Sequence, residues 1–296
     1  MATRYMDAEL VGKRMSSRVR KNTGWKGLFF ASTLFGLVVL AVLLVRIFTQ
    51  GIEYINIDFL MNHLSTDASR AGIMGAILGT AWLMVVVIPV TMVIGVGTAI
   101  YLELYAKKGK LQSFIATNIS NLAGVPSIVY GLLGLTLFVR TLEFGNVILA
   151  GGLTLSLLVL PIVIVAAQEA LRAVPGNLSE ASYGMGATKW QTVRRIILPA
   201  ALPGILTGAI LALSRAIGET APLTVLGIPA LLIPFPEGIF DTFTALPMQI
   251  YYWTIDASLV AEYANLAAAT IIVLLVLLFL LNSIAILIRN KFQQRY

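Results

Sequence analysis

The sequence predicts an all-α, polytopic membrane protein of about six transmembrane helices, and three observations carry that expectation. Hydrophobic residues fill 58% of the 296 positions and charged residues 12%, against roughly 45–50% apolar content in soluble domains. Such a chain lacks the polar surface to cover itself in water. Apolar runs of about 20 residues recur along it, each long enough to cross a ~30 Å hydrocarbon core as a helix. The basic residues, finally, collect in the segments on one side of those runs. Cysteine is absent, which excludes disulfides, thiolate chemistry and cysteine metal sites.

The elements follow in order. Residues 1–27 form a polar, basic tail carrying Arg4, Lys13, Arg14, Arg18, Arg20, Lys21 and Lys26 against Asp7 and Glu9. The run 28–48 is too long for a signal-peptide core and has no small-residue cleavage site behind it, so it reads as the first span; with its outer loop it occupies 28–71. Further spans are expected over 72–102, 113–139, 147–170, 199–228 and 264–288, making 72–288 a transmembrane core that contains a polar stretch at 175–199. Residues 289–296 form a basic tail.

Charge placement tests this division, because the spans were drawn from hydropathy alone. Segments on the side of the N-terminus hold Lys107, Lys108, Lys110, Arg172, Lys189, Arg194, Arg195, Arg289, Lys291 and Arg295. The opposite segments hold Arg70 and Arg140, with Glu53, Asp58, Asp67, Glu143, Glu237, Asp241, Asp256 and Glu262. The pattern places both termini in the cytoplasm. The net charge of +7 is therefore topological, and a nucleic-acid partner is not expected.

The stretch 175–199 reads as helix, turn, helix. Pro175 suits a first turn, and Leu178, Ala181 and Met185 share one face. Gly184 and Gly186 end that helix. Thr188 and Gln191 have the spacing of a capping box for a second helix, with Trp190, Val193 and Ile197 on one side and Arg194 and Arg195 on another. Small residues at Ala181, Ser182 and Gly184 allow a partner's backbone to approach closely. In the outer loop over 229–263, four prolines forbid a long helix at the start, and Tyr251, Tyr252 and Trp253 read as interfacial anchors. The lone His63 reads as a surface residue.

Two stretches inside the spans carry chemistry. Arg215 and Glu219 lie in the fifth span, where a charge costs roughly 2.5–3.5 kcal/mol at the helix centre, so both must face a bundle interior or an aqueous path. Their spacing of four puts them on one helix face, beside Ser214 and Thr220. A self-neutralising structural pair and an anion site both fit the residues. For an anion, the guanidinium offers a planar fork to phosphate oxygens. The carboxylate would balance Arg215 when the path is empty and accept a hydrogen bond from a protonated phosphate. Pro222 removes the amide that would bond the Gly218 carbonyl, so the helix should kink there. In the third span, GVPSIVYG at 124–131 places Pro126 where it frees the Leu122 carbonyl and bends the helix, while Gly124, Gly131 and Gly134 permit close packing. Ser127 and Tyr130 are candidate lining residues, and Arg46 and Arg140, near the outer ends of their spans, are candidates for the entry or for snorkelling to headgroups. The sequence contains no G-x-x-x-x-G-K-[ST], so this chain is not expected to hydrolyse ATP.

Two resemblances sharpen this. Glu180, Ala181 and Ser182, followed by Gly186 and then Ile196, Leu198 and Pro199, resemble the E-A-A, G, I-x-L-P coupling loop of ABC importer permeases, with Ser182 departing at the third position. RAIGETAPL at 215–223 and GVPSIVYG are similar to runs in phosphate-specific transport permeases, the ETAPL ending being closest to the PstA type. The resemblance implies a type I ABC importer permease architecture in a bacterial plasma membrane, importing inorganic phosphate. It implies a PstC-like permease partner, a PstB-like ATPase dimer that binds ATP and Mg, and a periplasmic PstS-like binding protein. No cofactor is expected in this chain. Glu180, Ala181, Ser182, Gly186, Trp190, Arg194 and Leu198 would meet the ATPase. Three alternatives stay open: another oxyanion as cargo, the PstC-like role, or a membrane subunit that reports phosphate supply to a sensor kinase.

Overall fold

The computed structural model describes residues 8–229 and 234–292, and no β-strand occurs among the described residues. The chain divides into two compact units, 1–50 and 51–296. The described residues of the first belong to one helix, α1 (Ala8–Gly51), so the described part of the basic tail is helical together with the span that follows. Its apolar side chains, Phe29, Phe30, Phe35 and Val38 among them, are exposed, as suits a span that is apolar all round.

The second unit contains α2 (Met74–Tyr105), α3 (Lys110–Leu122), α4 (Ser127–Thr141), α5 (Ile148–Arg172), α6 (Gly176–Gly184), α7 (Lys189–Ile217), α8 (Ala221–Leu226), α9 (Leu246–Asp256) and α10 (Glu262–Phe292). Five helices of the described chain are long and apolar enough to cross a membrane, or six if α3 and α4 count as one broken span. That agrees with the expected six.

Helix α5 is the centre: buried residues recur along it from Ile148 to Leu171, and its neighbours approach it through small residues. Ala201, Ile205, Ala209, Ala212 and Ala216 of α7 are buried in a stripe at helical spacing, while Gly204 and Gly208 lie against Ala170 and Ala166 of α5. Small residues on facing helices replace the hydrophobic drive that lipid cannot supply. Thr80, Thr91, Thr154, Ser156 and Thr270 are buried, and each donates its hydroxyl to a carbonyl four residues back. Their polar groups therefore need no partner from outside the helix.

Two expected spans are broken. Instead of one kinked helix over 113–139, α3 and α4 meet at 101°. Pro126 has no amide to continue the ladder, and the chain turns through Gly124 N–H to Asn121 O and Val125 N–H to Leu122 O. Gly124 serves that turn and packs against no other helix. Instead of one helix over 199–228, α7 stops at Ile217 and α8 begins at Ala221. Pro222 sits in the first turn of α8, where its missing amide costs nothing.

The loop aromatics also differ from expectation. Trp253 is 3% exposed, packed between the rings of Phe59 and Tyr263, so it is a core residue. Tyr252 donates to the Ile228 carbonyl, and Tyr251 keeps an exposed ring. His63 is exposed and stacks on Phe235 at 3.9 Å.

Candidate functional site

Arg215 lies in the last turn of α7 and Glu219 in the break before α8. Ala212, Ala216 and Ile217 turn the buried face of that last stretch inward, which directs Arg215 outward. Its Nε donates to Glu219 Oε1 at 3.1 Å, with the arginine side chain 48% exposed and the glutamate 16%. The Glu219 amide donates to the Ala216 carbonyl, so the pair survives the end of the helix. The two terminal guanidinium nitrogens make no hydrogen bond among the described residues. That leaves a two-donor fork facing out of the subunit, backed by a carboxylate: an arrangement suited to a small tetrahedral oxyanion.

The neighbours are less available. Ser214 Oγ lies 2.7 Å from both the Ile210 carbonyl and Asn282 Oδ1, which makes it a tie between α7 and α10. Thr220 lies in the break, half-buried, and its carbonyl accepts from Thr224 Oγ1. Asn282 escaped sequence reasoning, although a lone amide in an apolar run was the available signal.

Ser127 opens α4, half-buried. Tyr130 is 7% exposed and donates to the Leu122 carbonyl at 2.8 Å, so its hydroxyl is committed to the α3–α4 bend. Arg140 is exposed at the end of α4, and Arg46 is exposed on α1, in the other unit. Arg140 makes no hydrogen bond or salt bridge with the Arg215 pair among the described residues.

The stretch 175–199 folds as helix, turn, helix. Helix α6 follows Pro175, and the turn depends on Gly186 at φ +82°, a left-handed conformation that a side chain disfavours. Thr188 and Gln191 form the full capping box. Ser182 Oγ and Thr192 Oγ1 are 2.9 Å apart, joining the two helices. Val193 and Ile197 are buried in a cluster with Ile164, Ala167 and Leu171 of α5, which anchors the element to the central helix.

Trp190, expected on that same side, is 60% exposed. Residues 193–197 form a π-helical turn, whose wider winding breaks the 3.6-residue register between Trp190 and Ile197. Met185, 88% exposed, joins Trp190, Glu180, Ala181 and Arg194 on the outer surface, while Leu198 is half-buried. Sequence reasoning missed two ties to this end of the bundle. Lys189 Nζ lies 4.6 Å over the Tyr105 ring, and Arg172 bridges Glu103 of α2 and Glu169 of its own helix at 2.9 and 3.0 Å.

A family profile described as binding-protein-dependent transport system inner membrane component matches residues 91–296, a range that contains both the Arg215 pair and α6–α7. The chain is 35% identical over 240 residues, 78% of its length and 77% of the relative's, to the phosphate transport system permease protein PstA 1 of Mycobacterium tuberculosis strain CDC 1551. It is 32% identical over 281 residues, 94% of its length and 93% of the relative's, to the phosphate transport system permease protein PstA of Yersinia pestis. Among solved structures, it matches a chain of a bacterial ABC transporter involved in the import of the acidic polysaccharide alginate. The TM-score is 0.63 at 14% identity, covering 95% of this chain and 100% of that one. At that identity the likeness shows the fold alone: that of a type I ABC importer permease.

Proposed function

The chain belongs to the family of binding-protein-dependent transport system inner membrane components, and from that membership we propose that it is a permease subunit of an ATP-driven importer of inorganic phosphate. The observation that carries the reading is the Arg215–Glu219 pair, with its free guanidinium fork, in a chain similar over most of its length to two phosphate transport permeases. A half-exposed guanidinium within an apolar span cannot face lipid without a cost of a few kcal/mol. Its outward aspect therefore supports a path shared with a second, PstC-like permease. The free nitrogens would donate to two phosphate oxygens, while Glu219 would accept a hydrogen bond from the hydroxyl of hydrogen phosphate. Sulfate, fully deprotonated, has no such donor.

Energy would come from a PstB-like ATPase dimer holding ATP and Mg, seated on α6 and the start of α7, since this chain has no phosphate-binding loop of its own. A periplasmic PstS-like protein would deliver the anion. The basic residues at 107–110, 189–195 and 289–295 support a cytoplasmic location for both termini.

The test is uptake of radiolabelled phosphate by membranes carrying the full set of subunits, with sulfate and arsenate as competitors. ATP-dependent uptake that arsenate inhibits and sulfate does not, and that is lost in Arg215→Ala while the complex still assembles, is the expected result. An assembled wild-type complex that moves no phosphate would overturn the reading.

A further inference from the structure

The two helix breaks of the second unit meet at one glycine. A Cβ placed on Gly131 of α4 would lie 2.8 Å from Pro222 Cα, 3.0 Å from Val225 Cβ and 3.1 Å from the Pro222 carbonyl oxygen, all on α8. Carbon atoms in contact sit at about 3.5–4.0 Å, so the first turn of α8 occupies the space where a side chain at 131 would be. One helical turn further along α4, a Cβ at Gly134 would overlap Thr154 of α5. Helix α4 is thus a wedge with two bare notches: one takes the central helix and the other takes α8.

Helix α8 has six residues, too short to hold its own position. Leu223 and Leu226 are buried, and Pro222, also buried, seats the first turn on Gly131. Glu219 stands three residues before Pro222. Its amide is tied to Ala216 of α7, while the carbonyl of the adjoining Thr220 accepts from the Thr224 amide of α8, so Glu219 is held between the two helices and a shift of α8 is passed to it through one residue.

We infer that Gly131 is a positioning residue for Glu219: by leaving room for Pro222, it sets the place at which the carboxylate meets Arg215. The inference rests on reading that pair as the phosphate site, and its test has one arm that does not. Neither the bend in α3–α4 nor the break in α7–α8 accounts for this contact alone, because it exists only where the two come together.

The chain has no cysteine, so Glu219→Cys provides the single thiol of this subunit. Its conversion to a mixed disulfide by a membrane-impermeant methanethiosulfonate, which releases methanesulfinate, followed by the mass of this chain in the assembled complex, reports where position 219 stands. Adding Gly131→Ala should change that rate about threefold or more, because a close-packed seat transmits a shift of a few tenths of an ångström. Gly95→Ala, whose Cβ would meet Val163 Cγ1 at 2.9 Å in the α2–α5 contact, is an equally tight packing change and should leave the rate alone. In the uptake arm, Gly131→Ala should raise the phosphate KM about fivefold with little change in maximal rate, and should add nothing on a Glu219→Gln background.

An unchanged rate at 219, or an equal change from Gly95→Ala, overturns the inference. If Gly131→Ala fails to assemble, Val225→Ala loosens the same seat from the other side, and an unaltered rate there overturns it too. Absence of phosphate uptake by the wild-type complex would defeat the functional reading, and the thiol arm would still decide the positioning.

Discussion

The Tyr130 hydroxyl donates a 2.8 Å hydrogen bond to the Leu122 carbonyl oxygen across the 101° bend between α3 and α4. The bond answers a deficit in the backbone. In an unbroken helix that carbonyl would accept from the amide of residue 126, which is proline and has none. An acceptor left short of partners at membrane depth is costly, and here a side chain eight residues on supplies the donor.

Tyr130→Phe keeps the buried ring and removes the donor, while the Val125 amide still reaches Leu122 at 3.1 Å. The expected loss is about 1 kcal/mol, the net worth of one hydrogen bond. Thermal unfolding of the purified complex in detergent should show a midpoint lower by ~2–4 °C. An unchanged midpoint would mean that water or lipid serves the carbonyl equally well.

Arg215→Lys separates charge from geometry. Lysine retains the positive charge but offers a point donor in place of the planar fork, and the fork is the part of Arg215 that Glu219 leaves free. ATP-dependent phosphate uptake should fall by about tenfold or more, the loss of roughly 1.4 kcal/mol of oriented contact, with assembly intact by size-exclusion chromatography. A lysine variant that transports like wild type would remove bidentate recognition from the mechanism.

The sequence marked both proline sites as kinks in continuous spans, and the structure breaks the helix at each. Pro126 and Pro222 mark where an amide is missing, and that is a local property. The 101° angle is not local, since it depends on Tyr130 reaching Leu122 and on Gly131 receiving Pro222. The same division explains the rest. The capping box at Thr188 and Gln191 is short-range chemistry and was legible in full, whereas the burial of Trp253 depends on Phe59 and Tyr263, which lie in different segments. Arg215 and Glu219 were legible because charge inside an apolar run is rare, but the occupation of Ser214 by Asn282 needed α10 in place.

Ser182 and Thr192 make a second testable tie. Thr192 Oγ1 lies 3.1 Å from the Thr188 carbonyl, and its single proton goes there, so Ser182 donates to Thr192 across 2.9 Å. Thr192→Val replaces the hydroxyl with a methyl of similar volume and leaves Ser182 without its acceptor. The expected cost is about 1 kcal/mol at the joint between α6 and α7, too little to unfold the chain. If this element transmits ATPase motion, phosphate moved per ATP hydrolysed should drop while ATPase activity persists; an unaltered ratio would show that the joint carries no load.

Gly184 and Gly186 stand two residues apart and should respond to alanine with opposite sign. Gly184 is the last residue of α6, and a Cβ there meets nothing within 4 Å. Alanine at that position lowers the entropy of the unfolded chain without a clash, and should stabilise the end of α6 by about 0.5–1 kcal/mol. Gly186 also faces open space, but its φ of +82° holds the chain in a left-handed turn, where a Cβ meets the following carbonyl oxygen at a cost of roughly 1–2 kcal/mol. Hydrogen exchange read over 176–192 should therefore slow in Gly184→Ala and quicken in Gly186→Ala. If both variants exchange alike, the turn tolerates a side chain and the strain at 186 is not what shapes the element. If they diverge as expected, only Gly186→Ala should weaken co-purification of the ATPase, because it alone changes the angle at which the exposed Met185 and Trp190 are presented.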